Sequence, residues 1–219
     1  MKRLLSFLRP EPQQTPERRG TVPSAFPEED SAFFTSRFLE LEDTQPLVTW
    51  LQKRTVLRWK ALDEDWGREA IVALFAAQRH VQSLQPEQLL LISRYLHFVE
   101  IEAGQDVIAQ DEYGDYMFIV LEGRFGIERR QTWGGTTRLV EAKAGQTLGE
   151  MSLLDAGMRF SGCHTLTDCK VAVLDAQQLD DMMERDPRLA AVLLAWLARR
   201  ISLNLRQVSL RLSNLMARQ

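Results

Sequence analysis

The stretch LGEMSLLDAGMRFSG, Leu148 to Gly162, decides how this chain is read. A core element has no need of Glu150 or Arg159. A plain surface loop has no need of Met151, Leu153 and Leu154 between them. Gly149 lets the backbone turn tightly into a short helix. The first amides of that helix, from Glu150 through Met151 and Ser152 to Leu153, lack intrahelical partners and favour negative charge. Gly157 is expected to end it in left-handed geometry. Arg159 then brings a planar fork suited to two oxyanion oxygens. Glu150 would repel a phosphate, so its task is different: a carboxylate accepts hydrogen bonds from sugar hydroxyls. Bare amides, one arginine and one glutamate fit a ribose phosphate better than a polyphosphate, whose usual GxxxxGK[ST] loop does not occur here.

Working outward, short runs rich in β-branched and aromatic residues flank this stretch. HFVEI, DVIAQ, YMFIVL, RFGIER, TRLVEA and CKVAVL are separated by turn signals at 103–104, 113–115, 122–123, 133–135 and 144–145. Strands at such spacing imply an antiparallel roll or barrel. Before them, AFFTSRFLELE, PLVTWLQKR and REAIVALFAAQRHVQSL carry apolar groups at helical spacing, and SLQPEQLLLISRYL reads as one more helix. Pro46 and Pro86 stand where helices are expected to begin. Trp50, Trp59 and Trp66 read as core residues of this part. Residues 1–30 hold five of the eight prolines with five basic and five acidic side chains, the composition of a disordered leader.

After Leu174 the pattern is helical again. Asp186 is expected to cap a last helix with Pro187 at its first position. Ala191, Leu194, Ala198, Ile201, Leu205, Val208, Leu212 and Leu215 alternate steps of three and four, a heptad seam that supports either pairing with a second copy or packing on the chain's own core. Six arginines and no acid lie between Pro187 and Gln219, against a net charge of −3 for all 219 residues. That basic end either solvates the helix or meets an acidic partner.

The remaining chemistry is sparse. Cys163 and Cys169 are too few for a disulfide framework and read as small apolar residues in reduced surroundings. His80, His97 and His164 lack metal-ligand spacing, and no GxSxG or HExxH occurs. No apolar run reaches a membrane span, and the opening MKRLLSFLRP lacks a cleavage pattern. A non-enzymatic, cytoplasmic protein without a metal is the expectation.

The order of residues also resembles the cyclic-nucleotide-binding domain family, shared by bacterial catabolite activator proteins, protein kinase A regulatory subunits and cyclic-nucleotide-gated channels. AGQDVIAQDEYGDYMFIVLEGRFGIER is similar to that family's first half, with Gly104, Gly114, Asp115 and Gly123 at its turns. GEMSLLDAGMRFSGCHTLTDCKVAVL resembles its phosphate-binding cassette. The resemblance implies an α+β fold: an antiparallel β-roll (double-stranded jelly roll) at 84–185, after a helical extension at 31–83 and before a long dimerisation helix within 186–219. It implies a bacterial signalling protein whose ligand is a cyclic nucleotide, cyclic AMP or cyclic GMP, or a cyclic dinucleotide. Glu150 would hold the ribose 2′-hydroxyl and Arg159 the cyclic phosphate, with Gly149 and the amides of Met151 and Ser152 completing the cradle. The expected assembly is a homodimer through 187–217, passing its signal to a further protein.

Two departures stand out. The family generally follows its arginine with a small Ser, Thr or Ala, whereas this chain has Phe160, then Ser161 and Gly162. Phe160 either turns inward as core or stacks on a base, or Ser161 takes over the role after a one-residue slip. Ser202, Asn204 and Ser209 are candidate base readers on the last helix. Catabolite activators append a helix-turn-helix after that helix, and none is legible before Gln219; sequence-specific DNA binding is therefore not expected. A ligand-free interaction module and a non-specific DNA binder are the alternatives.

Overall fold

The structure, a computed structural model, describes residues 32–42, 46–77 and 84–217. The expected leader at 1–30, and His80 with the rest of 78–83, lie outside the described residues. The elements run α1 (Phe33–Glu42), β1 (Leu47–Val48), α2 (Trp50–Leu57), β2 (Lys60–Ala61), α3 (Glu64–Ala77), α4 (Pro86–Ile92), β3 (His97–Ile101), β4 (Asp106–Ile108), β5 (Tyr113–Gly114), β6 (Tyr116–Glu122), β7 (Arg124–Arg130), β8 (Thr136–Lys143), β9 (Thr147–Leu148), α5 (Glu150–Asp155), β10 (Gly162–Thr165), β11 (Cys169–Asp175), α6 (Ala176–Arg185) and α7 (Pro187–Met216).

Two sheets form the roll, in strand orders β4-β10-β7-β8 and β2-β3-β11-β6-β9. Alternation along β6 explains why YMFIVL is apolar throughout. Tyr116, Phe118 and Val120 point into the roll with Val107, Phe125, Val171 and Val173. Met117, Ile119 and Leu121 point the other way, into a second core with Leu89, Ile92, Leu179, Leu193 and Trp196 from the helices. Successive side chains leave opposite faces of a strand, and here both faces are covered. Cys163 and Cys169 are free and buried, and burial pushes the Cys163 thiol up to about 12.

The amino-terminal extension is α-helical at α1, α2 and α3, but it also adds β2 to the edge of the larger sheet and pairs β1 with β5 in a separate two-stranded ladder. Pro46 does not open a helix. It precedes β1, and α2 starts at Trp50 behind a Thr49 capping box. SLQPEQLLLISRYL divides into α4, with Pro86 in its first turn, and a single 3-10 turn at Ser93–Tyr95. Asp186 stands at the N-cap of α7 with Pro187 in the first turn, but its side chain makes no cap bond; the carboxylate accepts from the Tyr95 hydroxyl at 2.8 Å.

Buried polar groups fix the extension to the domain. Asp180 on α6 is 2% exposed and accepts the Phe34 and Thr35 amides at 2.8 and 2.7 Å. A carboxylate against the first amides of α1 supplies both charge and acceptors where that helix lacks partners. Asp175 accepts the Trp50 indole N–H at 2.6 Å and the Gln178 amide at 2.8 Å, joining α2 to the start of α6. Trp50 and Trp59 are buried and belong to the roll interior, while Trp66 packs at the edge of the helical core.

Along α7 the first half and the second half differ. Leu189, Ala190, Leu193, Trp196 and Leu197 are buried, whereas Leu203, Leu205, Val208, Leu210, Leu212 and Leu215 are exposed. No helix among the described residues is long and apolar enough to cross a membrane.

Candidate functional site

The site is built where β9 turns into α5. Phe118 and Ile119 of β6 pair with Leu148 and Thr147, which places Gly149 at the end of the edge strand of the larger sheet. Gly149 holds φ 82, a left-handed value that glycine adopts without strain, and α5 begins at the next residue. The six-residue helix buries Ser152 and Leu153 and leaves Met151 exposed. It ends at Ala156, which takes the left-handed φ of 52; the expected terminator, Gly157, does not. The Gly157 amide is occupied by the Asp155 carboxylate at 2.8 Å, which closes the turn locally.

Arg159 is the most unusual side chain of the described residues. It is 2% exposed, among the largest fully buried groups, and no acid forms a salt bridge with it. Its Nη1 donates to the Gly149 carbonyl at 2.8 Å and its Nη2 to the Tyr116 carbonyl at 2.7 Å. Its guanidinium carbon lies 4.6 Å from the Tyr116 ring centroid. The Tyr116 hydroxyl donates to the Val107 carbonyl at 2.9 Å, and burial drives its pKa upward. The Arg159 Nε is buried with no hydrogen-bond partner among the described residues. A buried cation keeps its solvation only through such contacts, so an unused N–H at this point is a place for an acceptor. Gly114 and Gly149 make room for the fork. A Cβ at Gly114 would stand 2.6 Å from Nη2, and one at Gly149 would stand 2.5 Å from Nη1.

Glu150 opens α5 with an elevated pKa. Burial raises it, while its own amide, Arg200, Thr147 and Arg159 pull it partly back. Arg200 comes from α7, donates through Nη1 to the Gly145 carbonyl at 2.9 Å, and lies 5.0 Å from the Trp196 ring centroid. Burial lowers its pKa and the Glu150 charge opposes that shift. The cassette thus feels one cation from its own loop and another from the long helix. No local pattern marks Arg200, which sits in a run of leucines and arginines.

Phe160 is not core: it is 57% exposed. The Arg129 guanidinium lies 4.2 Å from its ring centroid and donates to its backbone carbonyl. Ser161 follows in the bend that leads to β10 and is partly buried. Gly149, Glu150, Met151, Ser152 and Arg159 are therefore brought together around α5, with Phe160 turned outward at the rim. Ser202, Asn204 and Ser209 are exposed on the distal part of α7. His97 stacks on Trp50 at 4.5 Å, and His164 stands 4.0 Å from Glu128. Among the described residues no three His, Cys, Asp or Glu side chains group as a metal site.

Comparison with known proteins agrees with this geometry. The family described as "Cyclic nucleotide-binding domain" matches residues 98–186. A "CRP-like cAMP-activated global transcriptional regulator" of Mycobacterium tuberculosis is 29% identical over 120 residues, 55% of this chain and 54% of that protein. The chain thus spans about half the length of that curated relative. The crystal structure of the Thermus thermophilus Catabolite Activator Protein aligns with a TM-score of 0.52 at 29% identity, covering 62% of each chain. A cyclic nucleotide-binding domain from Methylobacillus flagellatus aligns with a TM-score of 0.63 at 19% identity, over 70% of this chain and 85% of that one; at that identity it speaks to fold alone. Together with the roll, the glycine-led cassette and the buried arginine, these matches place residues 98–186 in the cyclic nucleotide-binding domain family.

Proposed function

We propose that this domain binds a cyclic nucleotide and acts as a non-enzymatic sensor that reports occupancy through its carboxyl-terminal helices. The observation that carries the reading is the buried Arg159 fork, seated against two glycines with its Nε unpartnered. In this reading the cyclic phosphate takes Arg159 and the free amides of Met151 and Ser152. The Glu150 carboxylate accepts from the ribose hydroxyl. Gly149 lets the ring approach the backbone. Arg200 ties α7 to the turn before the cassette, so a ligand that rearranges Glu150 acts directly on that helix. A ligand shifts such an equilibrium only by its differential affinity for the two helix positions. Cyclic AMP, cyclic GMP and cyclic dinucleotides all present the required phosphodiester, and the exposed Phe160 ring is available to a base at the rim.

The assembly we infer is a homodimer in the cytoplasm that signals to a further protein. The seam from Leu205 to Leu215 is exposed on α7, beyond the half of the helix whose residues are buried in the domain's own core. A second copy supplies the apolar surface that this stripe lacks.

A second reading draws on a different observation. Both terminal nitrogens of Arg159 already donate to backbone carbonyls, an arrangement that also suits an arginine retained for structure in a ligand-free dimerisation module. Calorimetric titration with cyclic AMP, cyclic GMP and cyclic di-GMP separates the two. The sensor reading expects saturable heat with at least one of them and a loss of ~100-fold in affinity in Arg159→Ala, as truncating one partner of a buried charge contact does. Absence of heat and of thermal stabilisation with all three at millimolar concentration leaves the structural module.

A further inference from the structure

The segment ahead of the family domain is tied to the backbone of Arg159 itself. β1 runs parallel to β5, pairing Leu47 with Tyr113 and Val48 with Gly114. Just beyond it, Lys53 Nζ meets Glu112 Oε2 at 3.0 Å, with side chains 16% and 13% exposed. A pair this sheltered is screened little by salt, and removing one partner strands the other charge.

Glu112 is where the contacts converge. Its second carboxylate oxygen accepts the Ala109 amide at 3.0 Å. Its carbonyl accepts the Arg159 amide at 2.8 Å, and the neighbouring Asp111 amide donates to the Arg159 carbonyl at 2.9 Å. Asp111 holds φ 66, a left-handed conformation that a non-glycine residue keeps only when its surroundings over-determine it. One step on, Gly114 faces the guanidinium so closely that a Cβ there would stand 2.6 Å from Nη2. The same six-residue stretch, 109–114, therefore meets Arg159 at both its backbone and its charged end.

The geometry points to Lys53 and Glu112 as positioning residues of the nucleotide site: the amino-terminal segment clamps the 109–114 loop, and the loop sets where the Arg159 fork stands. Neither residue touches the ligand in this arrangement. They act by keeping the cation fixed before the anion arrives, so that binding does not have to order it. This inference rests on the reading that Arg159 meets the phosphate.

Its test uses the full chain and two measurements, one of which needs no nucleotide. In the ligand-free protein, Lys53→Met is expected to accelerate hydrogen exchange at the Asp111 and Arg159 amides ~10-fold while the Phe118 amide in β6 is unchanged, the pattern of local rather than global opening. Calorimetry with cyclic AMP is expected to show ~10-fold weaker binding in the same variant, and Lys53→Arg is expected to retain both properties within ~3-fold. Unchanged exchange at both amides overturns the clamp. Accelerated exchange with unchanged affinity overturns the positioning role while nucleotide binding stands. A wild-type protein that gives no heat with cyclic AMP or any other cyclic nucleotide sinks the binding reading, and the exchange data alone then uphold or overturn the clamp.

Discussion

The cassette and the distal half of α7 break the same rule in opposite directions. Around α5 the chain buries a guanidinium with one N–H unused; along Leu203–Leu215 it exposes a leucine stripe. Apolar surface is stabilised by removal from water and charge by contact with it, so each exception needs a reason outside the monomer's own packing. In the proposed function the two neighbours differ in kind: an acceptor for the unused N–H of Arg159, and a second apolar surface for α7. The first half of the same helix shows what the second half lacks, since Leu193, Trp196 and Leu197 are buried in the core beside α6.

Three experiments test this contrast. The largest effect is expected from Leu205→Asp combined with Leu212→Asp. If the stripe is a dimer seam, sedimentation should show association weakened by about 4 kcal/mol or more, a ~1000-fold change, with the monomer still folded. If the oligomeric state is unchanged, the exposed leucines are not the contact. Gly149→Ala comes next. The new residue must hold φ 82, and its Cβ meets Arg159 Nη1 at 2.5 Å and the Tyr116 carbonyl at 3.1 Å. A carbonyl in β6 cannot give way, so thermal unfolding should report a loss of about 1–3 kcal/mol and displacement of the fork. Unaltered stability would mean that the cassette turn is looser than its geometry implies.

The smallest effect is the response to acid. Burial raises the Glu150 pKa above its ordinary value of 4.5. For a carboxyl raised on folding, the folded state is favoured below the unfolded value, and that contribution is lost as pH rises through the folded value. Acidification through this window therefore adds a little stability as Glu150 takes up a proton. In the proposed function the same protonation replaces the charged acceptor for a ribose hydroxyl by a weaker neutral one. Stability and nucleotide affinity should move in opposite directions on mild acidification, and Glu150→Gln should abolish both trends. Parallel trends, measured by thermal unfolding and calorimetry at several pH values, would remove Glu150 from the site.

The roll was legible because its strands carry their evidence locally. HFVEI and CKVAVL show the composition and length of strands, and the turns between them are marked by glycine. The cassette was legible for a related reason, since Gly149, Glu150 and Arg159 are unusual in their immediate context. Other features carry no such signal. β1 and β2 are two residues each, and only their partners on β5 and β3 make them strands. GCHT is a poor strand by propensity, yet β10 is held between β4 and β7. In AQQLDDMMER, Asp180 reads as one more polar residue of an amphipathic helix; its buried role appears only when α1, 145 or more positions away, lays its amides on it. The Lys53–Glu112 pair and Arg200 are missed for the same reason. Ala156 in place of Gly157 is a subtler error. Glycine is the cheaper left-handed residue, but the Asp155 carboxylate claims the Gly157 amide and moves the turn one residue earlier.

Asp180 has a consequence for where this protein can be cut. The family match begins at residue 98, yet the carboxylate of Asp180 is sealed from water by backbone groups of Phe34 and Thr35. Excising the recognisable module alone would uncover this carboxylate together with the apolar surface that α1 covers, and Asp175 would lose the indole of Trp50 as well. The segment that matches the family is thus shorter than the segment whose buried polar groups depend on one another here.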